Sequence, residues 1–124
     1  MPDVRITFLG TGAGNCIYRA HTAIALDCPD GTRVLLDAGS GNSALVNGSK
    51  LGILAQDFHD VLLSHHHADH MGGLPHIQGQ RSMITPNAMP LRVYASAESL
   101  NKVQRLFKAT SITHKVDQDG GDDH

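Results

Sequence analysis

The order of apolar and polar residues predicts β-strands in the first third of the chain. Residues 4–9 alternate and include β-branched side chains, as expected of a strand. Residues 22–27 and 33–37 are predicted to form two more strands. The segment Pro29-Asp30-Gly31-Thr32 between them has proline early and glycine late, as a reverse turn favours. These two strands are therefore expected to form a hairpin.

From residue 40 onward, the pattern alternates strands with helices. Residues 60–63 and 91–95 are predicted strands, and helices are predicted for part of 43–56 and for 71–80. A last helix follows the predicted N-cap Ser96. Its apolar face is formed by residues at helical spacing: Leu100, Val103, Leu106 and Phe107. Strands that alternate with helices indicate an α/β fold.

Composition limits the size of the fold and the range of partners. The 124 residues are enough for one domain, and the 40% hydrophobic residues suffice for a packed core. The net charge of −2 and the absence of a basic run argue against non-specific nucleic-acid binding but leave a shaped RNA substrate open. No signal-peptide pattern and no apolar run of ~20 residues are present, which predicts a cytoplasmic protein without a membrane partner.

Histidine stands out in this composition, because four of the nine histidines lie between positions 65 and 70. The run is Ser64-His65-His66-His67-Ala68-Asp69-His70, and it follows a predicted buried strand. In an extended chain, His65 and His67 point to the same side and can share one metal ion, while Asp69 and His70 can reach a second. Mixed imidazole and carboxylate ligands suit zinc, with manganese or iron as alternatives. The competing interpretation is a solvated loop without metal.

This run resembles the H-x-H-x-D-H signature of the metallo-β-lactamase superfamily. Three further segments resemble its ribonuclease Z and phosphodiesterase branch: Gly73-Leu74-Pro75, Phe8-Leu9-Gly10-Thr11-Gly12 and Leu36-Asp37-Ala38-Gly39. The resemblance covers about residues 4–110. It implies an αββα sandwich, of which residues 1–116 would form the N-terminal αβ half.

The resemblance also implies roles for particular residues. His65 and His67 would bind the first of two divalent metal ions, and Asp69 and His70 the second. Asp69 would also orient the attacking water, and it is the one residue to which the resemblance gives a catalytic role. Asp37 would hold a ligand imidazole by its distal N–H. A simple turn-forming role before Gly39 is the alternative for Asp37.

Two motif positions are expected to bind no metal. His66 fills a variable position, so its ring should point away from the ions. Ser64 stands where threonine is common in the superfamily.

The implied activity is hydrolysis of a phosphodiester or related ester by a metal-bound hydroxide, with RNA as one substrate. Sulfate esters, thioesters, lactones and β-lactams are substrates of other superfamily members. A hypothesis of a different class is a truncated metal-binding fragment without turnover. Such a fragment would associate through its uncovered sheet face, for example as a homodimer.

The remaining ligands of the superfamily, two histidines and an aspartate, would come from a second half of the fold. Within this sequence, His114 is a weak candidate for a third ligand. Residues 117–124 are acidic and are predicted to be disordered. We therefore expect the chain to be truncated and impaired on its own.

The other segments with candidate chemistry give weaker signals. The Gly10 to Gly14 loop either borders the substrate site or is a plain turn, because its G-x-G-x-G spacing fits no nucleotide motif. Cys16 and Cys28 are interpreted as small buried thiols, and neither Cys16 nor His21 receives a role. Two histidines outside the run are expected on the surface and at a pocket rim, respectively: His59 and His76.

Overall fold

A computed structural model describes residues 3–87 and 89–110 of the chain. Within these residues, five strands form one sheet in the spatial order β1-β2-β3-β4-β5. The strands are β1 (Arg5–Gly10), β2 (Ala23–Asp27), β3 (Arg33–Leu36), β4 (Asp60–Leu62) and β5 (Arg92–Tyr94). The predictions for His114 and for the acidic segment 117–124 lie outside the described residues.

Four helices and one short 3₁₀ turn connect the strands. The helices are α1 (Ser43–Ser49), α2 (Ala68–Met71), α3 (Leu74–Ile84) and α4 (Ala97–Thr110), and the 3₁₀ turn is Ala55–Asp57. The predicted N-cap of α4 is confirmed, because Ser96 Oγ accepts a hydrogen bond from Ser99 N at 3.1 Å.

Two predicted helices differ in extent from those in the structure. The first stops at Ser49, since the chain turns at Gly52, which has a φ of +80°. The second, predicted over 71–80, instead begins at Leu74 and ends at Ile84, and Gly72 and Gly73 separate it from the short helix α2, which was not predicted.

The sheet changes from antiparallel to parallel pairing in its middle. Strand β1 pairs with β2, and β2 with β3, in antiparallel register. Strand β3 then pairs with β4, and β4 with β5, in parallel. Each parallel step needs a crossover, and helical segments supply it: α1 with the 3₁₀ turn, and then α2 with α3. The predicted α/β class is confirmed.

One face of the sheet carries the core. Leu9, Ala25, Leu35 and Val61 are buried on this face, and their strands are adjacent. Helix α1 contacts β1, and α3 contacts both the 3₁₀ turn and α4. Side chains from these helical segments and from the adjoining loops complete the core: Ala44, Phe58, Leu74, Ile77, Val103 and Phe107.

The other face of the sheet is apolar and open. The strand register places one row of partners across all five strands: Phe8, Ile24, Leu36, Leu62 and Tyr94. Phe8 is 62% exposed and Leu62 is 43% exposed, so no helix of the described chain covers this row. An apolar face of this size is typical of a surface that packs against another layer.

A polar cluster lies on the same open face beside the apolar row. Asp60 accepts hydrogen bonds from Arg92 Nε at 2.7 Å, from Arg92 Nη2 at 3.1 Å and from Tyr94 Oη at 3.2 Å. The bonds from Arg92 hold the pKa of the Asp60 carboxyl below its ordinary value. Asp60 is therefore a fully engaged carboxylate at the β4–β5 end of the face.

Two further sequence predictions can be compared with the structure. Cys16 and Cys28 are both free thiols, but they are only partly buried, so their interpretation as buried thiols is wrong. Both lie in loops that flank strands, where hydrophobic packing is incomplete. Within the described residues, no helix has the length and apolar character needed to cross a bilayer.

Candidate metal centre

The centre of the site is Asp37, which directly follows the last residue of β3. Its φ is 60°, in the left-handed region that aspartate tolerates better than most residues, so the strand stops one residue earlier than predicted. Asp37 is a buried residue, with only 6% of its surface exposed. Its Oδ1 accepts from Ser64 N at 2.7 Å, and its Oδ2 accepts from Ser64 Oγ at 2.7 Å. The carboxylate therefore connects the end of β3 to the histidine-rich loop, which we define as residues 63–67 between β4 and α2.

Asp37 also contacts an imidazole. His70 Nδ1 lies 2.9 Å from Asp37 Oδ2, and the backbone carbonyl of His70 accepts from Ala38 N at 2.7 Å. Because an ionised carboxylate only accepts hydrogen bonds, the proton of this contact belongs to His70 Nδ1. A neutral imidazole with its proton on Nδ1 has its lone pair on Nε2, which is the state that a metal ligand requires.

The hydroxyl of Ser64 connects Asp37 to a second imidazole, that of His65. Since Ser64 Oγ donates its only proton to Asp37, it accepts from its second neighbour, His65 Nδ1, at 3.0 Å. His65 Nε2 therefore also keeps its lone pair. One buried carboxylate thus sets the tautomer of two imidazoles, one directly and one through a serine.

The imidazoles that the sequence predicts as ligands lie close together. The ring centroids of His65 and His67 are 4.6 Å apart, and those of His65 and His70 are 4.0 Å apart. His70 Nε2 lies 3.0 Å from Asp69 Oδ2. Two ligands of a tetrahedral zinc ion, each ~2.1 Å from the metal, stand about 3.4 Å apart, so this pair fits one shared ion.

No third ligand joins these pairs in the described part of the chain. There, no group of three His, Cys, Asp or Glu side chains is arranged to hold one metal ion. A catalytic zinc ordinarily has three protein ligands and a water. The described residues therefore fit the predicted ions in donor chemistry but fall short in donor number.

Two glycines allow close approaches around the site. A Cβ on Gly73 would lie 2.1 Å from the carbonyl oxygen of Ala38, so only glycine lets α3 begin so near the end of β3. A Cβ on Gly14 would lie 3.2 Å from Asp69 Cγ. Of the two interpretations of the Gly10 to Gly14 loop, the structure supports the one that places it beside the site.

Sequence reasoning missed the contacts of several neighbouring side chains. His66 Nδ1 lies 3.1 Å from Ser99 Oγ, and Ser99 is buried in the first turn of α4. His21 Nδ1 lies 2.7 Å from Ser40 Oγ, next to the glycine-rich turn after Asp37. Serine is too common for its sequence position to reveal such partners.

Two other histidines lie apart from the histidine-rich loop. His59 is exposed, as predicted. His76 is exposed and borders a groove between α1, the 3₁₀ turn and α3, as expected of a pocket-rim residue.

With this geometry established, the family of the chain can be assigned. Residues 4–116 match the family profile described as the anti-Pycsar protein Apyc1. The chain belongs to the Apyc1 family. This match covers the strands, the histidine-rich loop and α4 together, so the whole described fold is included.

Individual relatives place the chain within the wider metallo-β-lactamase superfamily. The ribonuclease Z of Aeropyrum pernix is 29% identical over 111 residues, which are 89% of this chain and 35% of that protein. The structure of human tRNase Z, short form, matches with a TM-score of 0.71 and 26% identity over 87% of this chain and 41% of that one. The predicted superfamily and its ribonuclease Z-like branch are confirmed.

A third comparison identifies the fold by name. The metallo-β-lactamase fold protein YhfI from Bacillus subtilis matches with a TM-score of 0.64 and 24% identity, over 85% of this chain and 42% of that one. The chain spans about a third of the length of the curated relatives it matches. The described residues therefore form part of a metallo-β-lactamase fold.

The contacts of Asp37 lead to a prediction for the variant Asp37→Asn. Asparagine tolerates the left-handed backbone, but its amide nitrogen cannot accept from Ser64 or His70. We expect the fold to persist and the affinity for zinc to fall by ~10–100-fold, as measured by competition with a chromophoric chelator.

Asp30→Asn is the matched control, because Asp30 is an exposed turn carboxylate that accepts from Thr32 within its own turn. Unchanged zinc affinity in the Asp37 variant would leave Asp37 with a turn-forming role alone.

Proposed function

We propose that this chain contributes the metal-binding part of a hydrolase that cleaves phosphodiester bonds. The observation that carries the proposal is the hydrogen-bond chain from His65 through Ser64 and Asp37 to His70. These hydrogen bonds engage the Nδ1 atoms of both imidazoles, so a metal ion would be bound through the Nε2 atoms, and that of His70 lies 3.0 Å from Asp69 Oδ2. A loop without a function in metal binding would not need two imidazoles in the same tautomer.

In this proposal, His65 and His67 hold one divalent ion, and Asp69 and His70 hold a second. Zinc suits this donor set best, with manganese or iron as alternatives. When bound, two such ions lower the pKa of a water and stabilise the negative charge that develops on the substrate.

The remaining residues position this machinery. In this proposal Asp69 also orients the attacking water, since its carboxylate lies beside His70 Nε2 and Gly14. Asp37 and Ser64 hold the ligand imidazoles in the required tautomer. His66 fixes the histidine-rich loop to the first turn of α4 through Ser99.

A phosphodiester of RNA is the substrate that the relatives favour. Their names, ribonuclease Z and tRNase Z, refer to RNA. Lys and Arg number 10 against 12 Asp and Glu, so this segment has no excess positive charge for a long nucleic acid. A short phosphodiester near the ions therefore suits it better than an extended RNA. Sulfate esters, thioesters and lactones are alternative substrates within the same chemistry.

A metal-binding fragment without turnover is the second candidate function. Two observations favour it: the two-donor groups at each proposed ion, and the open apolar row from Phe8 to Tyr94. In the fragment, the ions would be held weakly and the open face would associate with another copy as a homodimer. In a longer chain, additional residues would supply the missing ligands and cover the face. The cytoplasmic location stays a prediction.

The first test concerns the metal ligands. Replacing His65 and His67 together with alanine removes both donors of the first proposed ion, so about half of the bound zinc should be lost. Metal content after dialysis, measured by atomic emission, checks this. His59→Ala is the matched control, because His59 is exposed and lies before β4. Equal zinc content in the double variant and the parent chain would refute the ligand assignment.

The second test concerns completeness. We expect the 124-residue chain to hydrolyse bis(p-nitrophenyl) phosphate slowly with added zinc or manganese, because each ion lacks a ligand. A longer chain that joins this segment to the missing ligands should be faster, bind metal more tightly and remain monomeric. Comparable metal-dependent turnover by a monomeric 124-residue chain would show that no further ligands are needed.

A further inference from the structure

The loop between β1 and β2, residues 12–21, is a closed projection next to the metal centre. Its base is closed by a hydrogen bond from Gly12 N to the carbonyl oxygen of Ala20 at 2.7 Å. A turn inside it is closed by Cys16 N, which donates to the carbonyl oxygen of Ala13 at 2.9 Å. The backbone N–H groups of Tyr18 and Arg19 donate to the Cys16 sulfur and lower the pKa of its thiol. The 12–21 loop therefore has a defined conformation.

The tip of the 12–21 loop is apolar and projects into solvent. Ile17 is 83% exposed and Tyr18 is 89% exposed, the two highest values among the large hydrophobic side chains of the described residues. Neither side chain contributes to the core. Their exposure therefore has no explanation in the core of the described residues.

Both ends of the 12–21 loop adjoin the metal centre. At one end, Gly14 packs against the carboxylate of Asp69. At the other end, His21 Nδ1 is hydrogen-bonded to Ser40 Oγ, and Ser40 lies three residues after Asp37. Tyr18 follows Gly14 by four residues, so its Cα lies at most about 14 Å from that of Gly14. The aromatic tip thus belongs to the same short loop that borders Asp69.

We propose that Tyr18 is a stacking platform for a nucleobase of the substrate, which makes the 12–21 loop a nucleotide-binding subsite. This rests on the proposed function, because it names the substrate group that lies beside the cleaved bond. Aromatic side chains stack on bases without sequence preference. The neighbouring Arg19 is the only charged residue between positions 11 and 22, so the tip carries no carboxylate that would repel a phosphate.

The test measures RNA binding rather than hydrolysis. A fluorescein-labelled hexauridylate is titrated with the 124-residue chain in the presence of EDTA, and fluorescence anisotropy reports the Kd. We expect Tyr18→Ala to raise the Kd about tenfold, and Tyr18→Phe to leave it nearly unchanged because the ring is retained. Met83→Ala is the matched control, since Met83 is 79% exposed but lies in the last turn of α3.

Three outcomes would overturn the proposal. They are no binding by the parent chain, equal affinity of the parent and Tyr18→Ala, and equal loss in Tyr18→Ala and Met83→Ala. A change in oligomeric state in Tyr18→Ala with unchanged RNA affinity would instead assign the tip to contacts with a second copy, which also contradicts it. Because EDTA prevents metal-dependent turnover, failure of the proposed hydrolase would leave this binding result standing.

Discussion

The arrangement of the site depends on one buried carboxylate. Asp37 is almost excluded from water, and a buried charge is costly unless hydrogen-bond donors surround it. Ser64, in the loop after β4, supplies two donors, and His70, in α2, supplies one. Satisfying Asp37 therefore brings the end of β3 and the histidine-rich loop together. The same hydrogen bonds orient His65 and His70, so the stability of this corner and the proposed metal binding would have one physical cause.

The sheet provides the rigid support for this corner. Strands β3 and β4 are parallel neighbours, so both end at the same edge, where Asp37 follows β3 directly and Ser64 lies two residues after β4. Asp37 N donates to the carbonyl oxygen of Leu62 at 2.9 Å, which continues the β3–β4 pairing up to the site. The helices cover only one face of this sheet. The open apolar face and the two-donor groups at each proposed ion agree with a chain that spans about a third of the length of its curated relatives.

Much of this could be predicted from the sequence, because the signals are local. Alternation identified the first strands, and the spacing of Leu100, Val103 and Phe107 identified α4. The histidine run was recognisable because its residue types and spacing are rare outside metal sites. The proximity of His65, His67 and His70 follows from that spacing together with the turn into α2.

Other features depend on tertiary contacts and could not be predicted. The left-handed backbone of Asp37 is stabilised by Ser64, 27 residues away, and His66 finds its partner 33 residues away on α4. The late start of α3 and its separation from α2 reflect the close approach of Gly73 to Ala38, which no local pattern shows. Burial of the two cysteines was inferred from residue type alone and failed for the same reason.

The most direct test of this account is the anomalous diffraction of a zinc-loaded crystal of the chain, recorded at the zinc edge. If Asp37 prepares the site, one peak should lie ~2.0–2.2 Å from His65 Nε2, and a second should lie at that distance from His70 Nε2 and a carboxylate oxygen of Asp69. Asp37 Oδ2 should stay within hydrogen-bond distance of His70 Nδ1. Zinc bound to His70 through Nδ1, with Asp37 displaced, would contradict the claim that this carboxylate prepares the site.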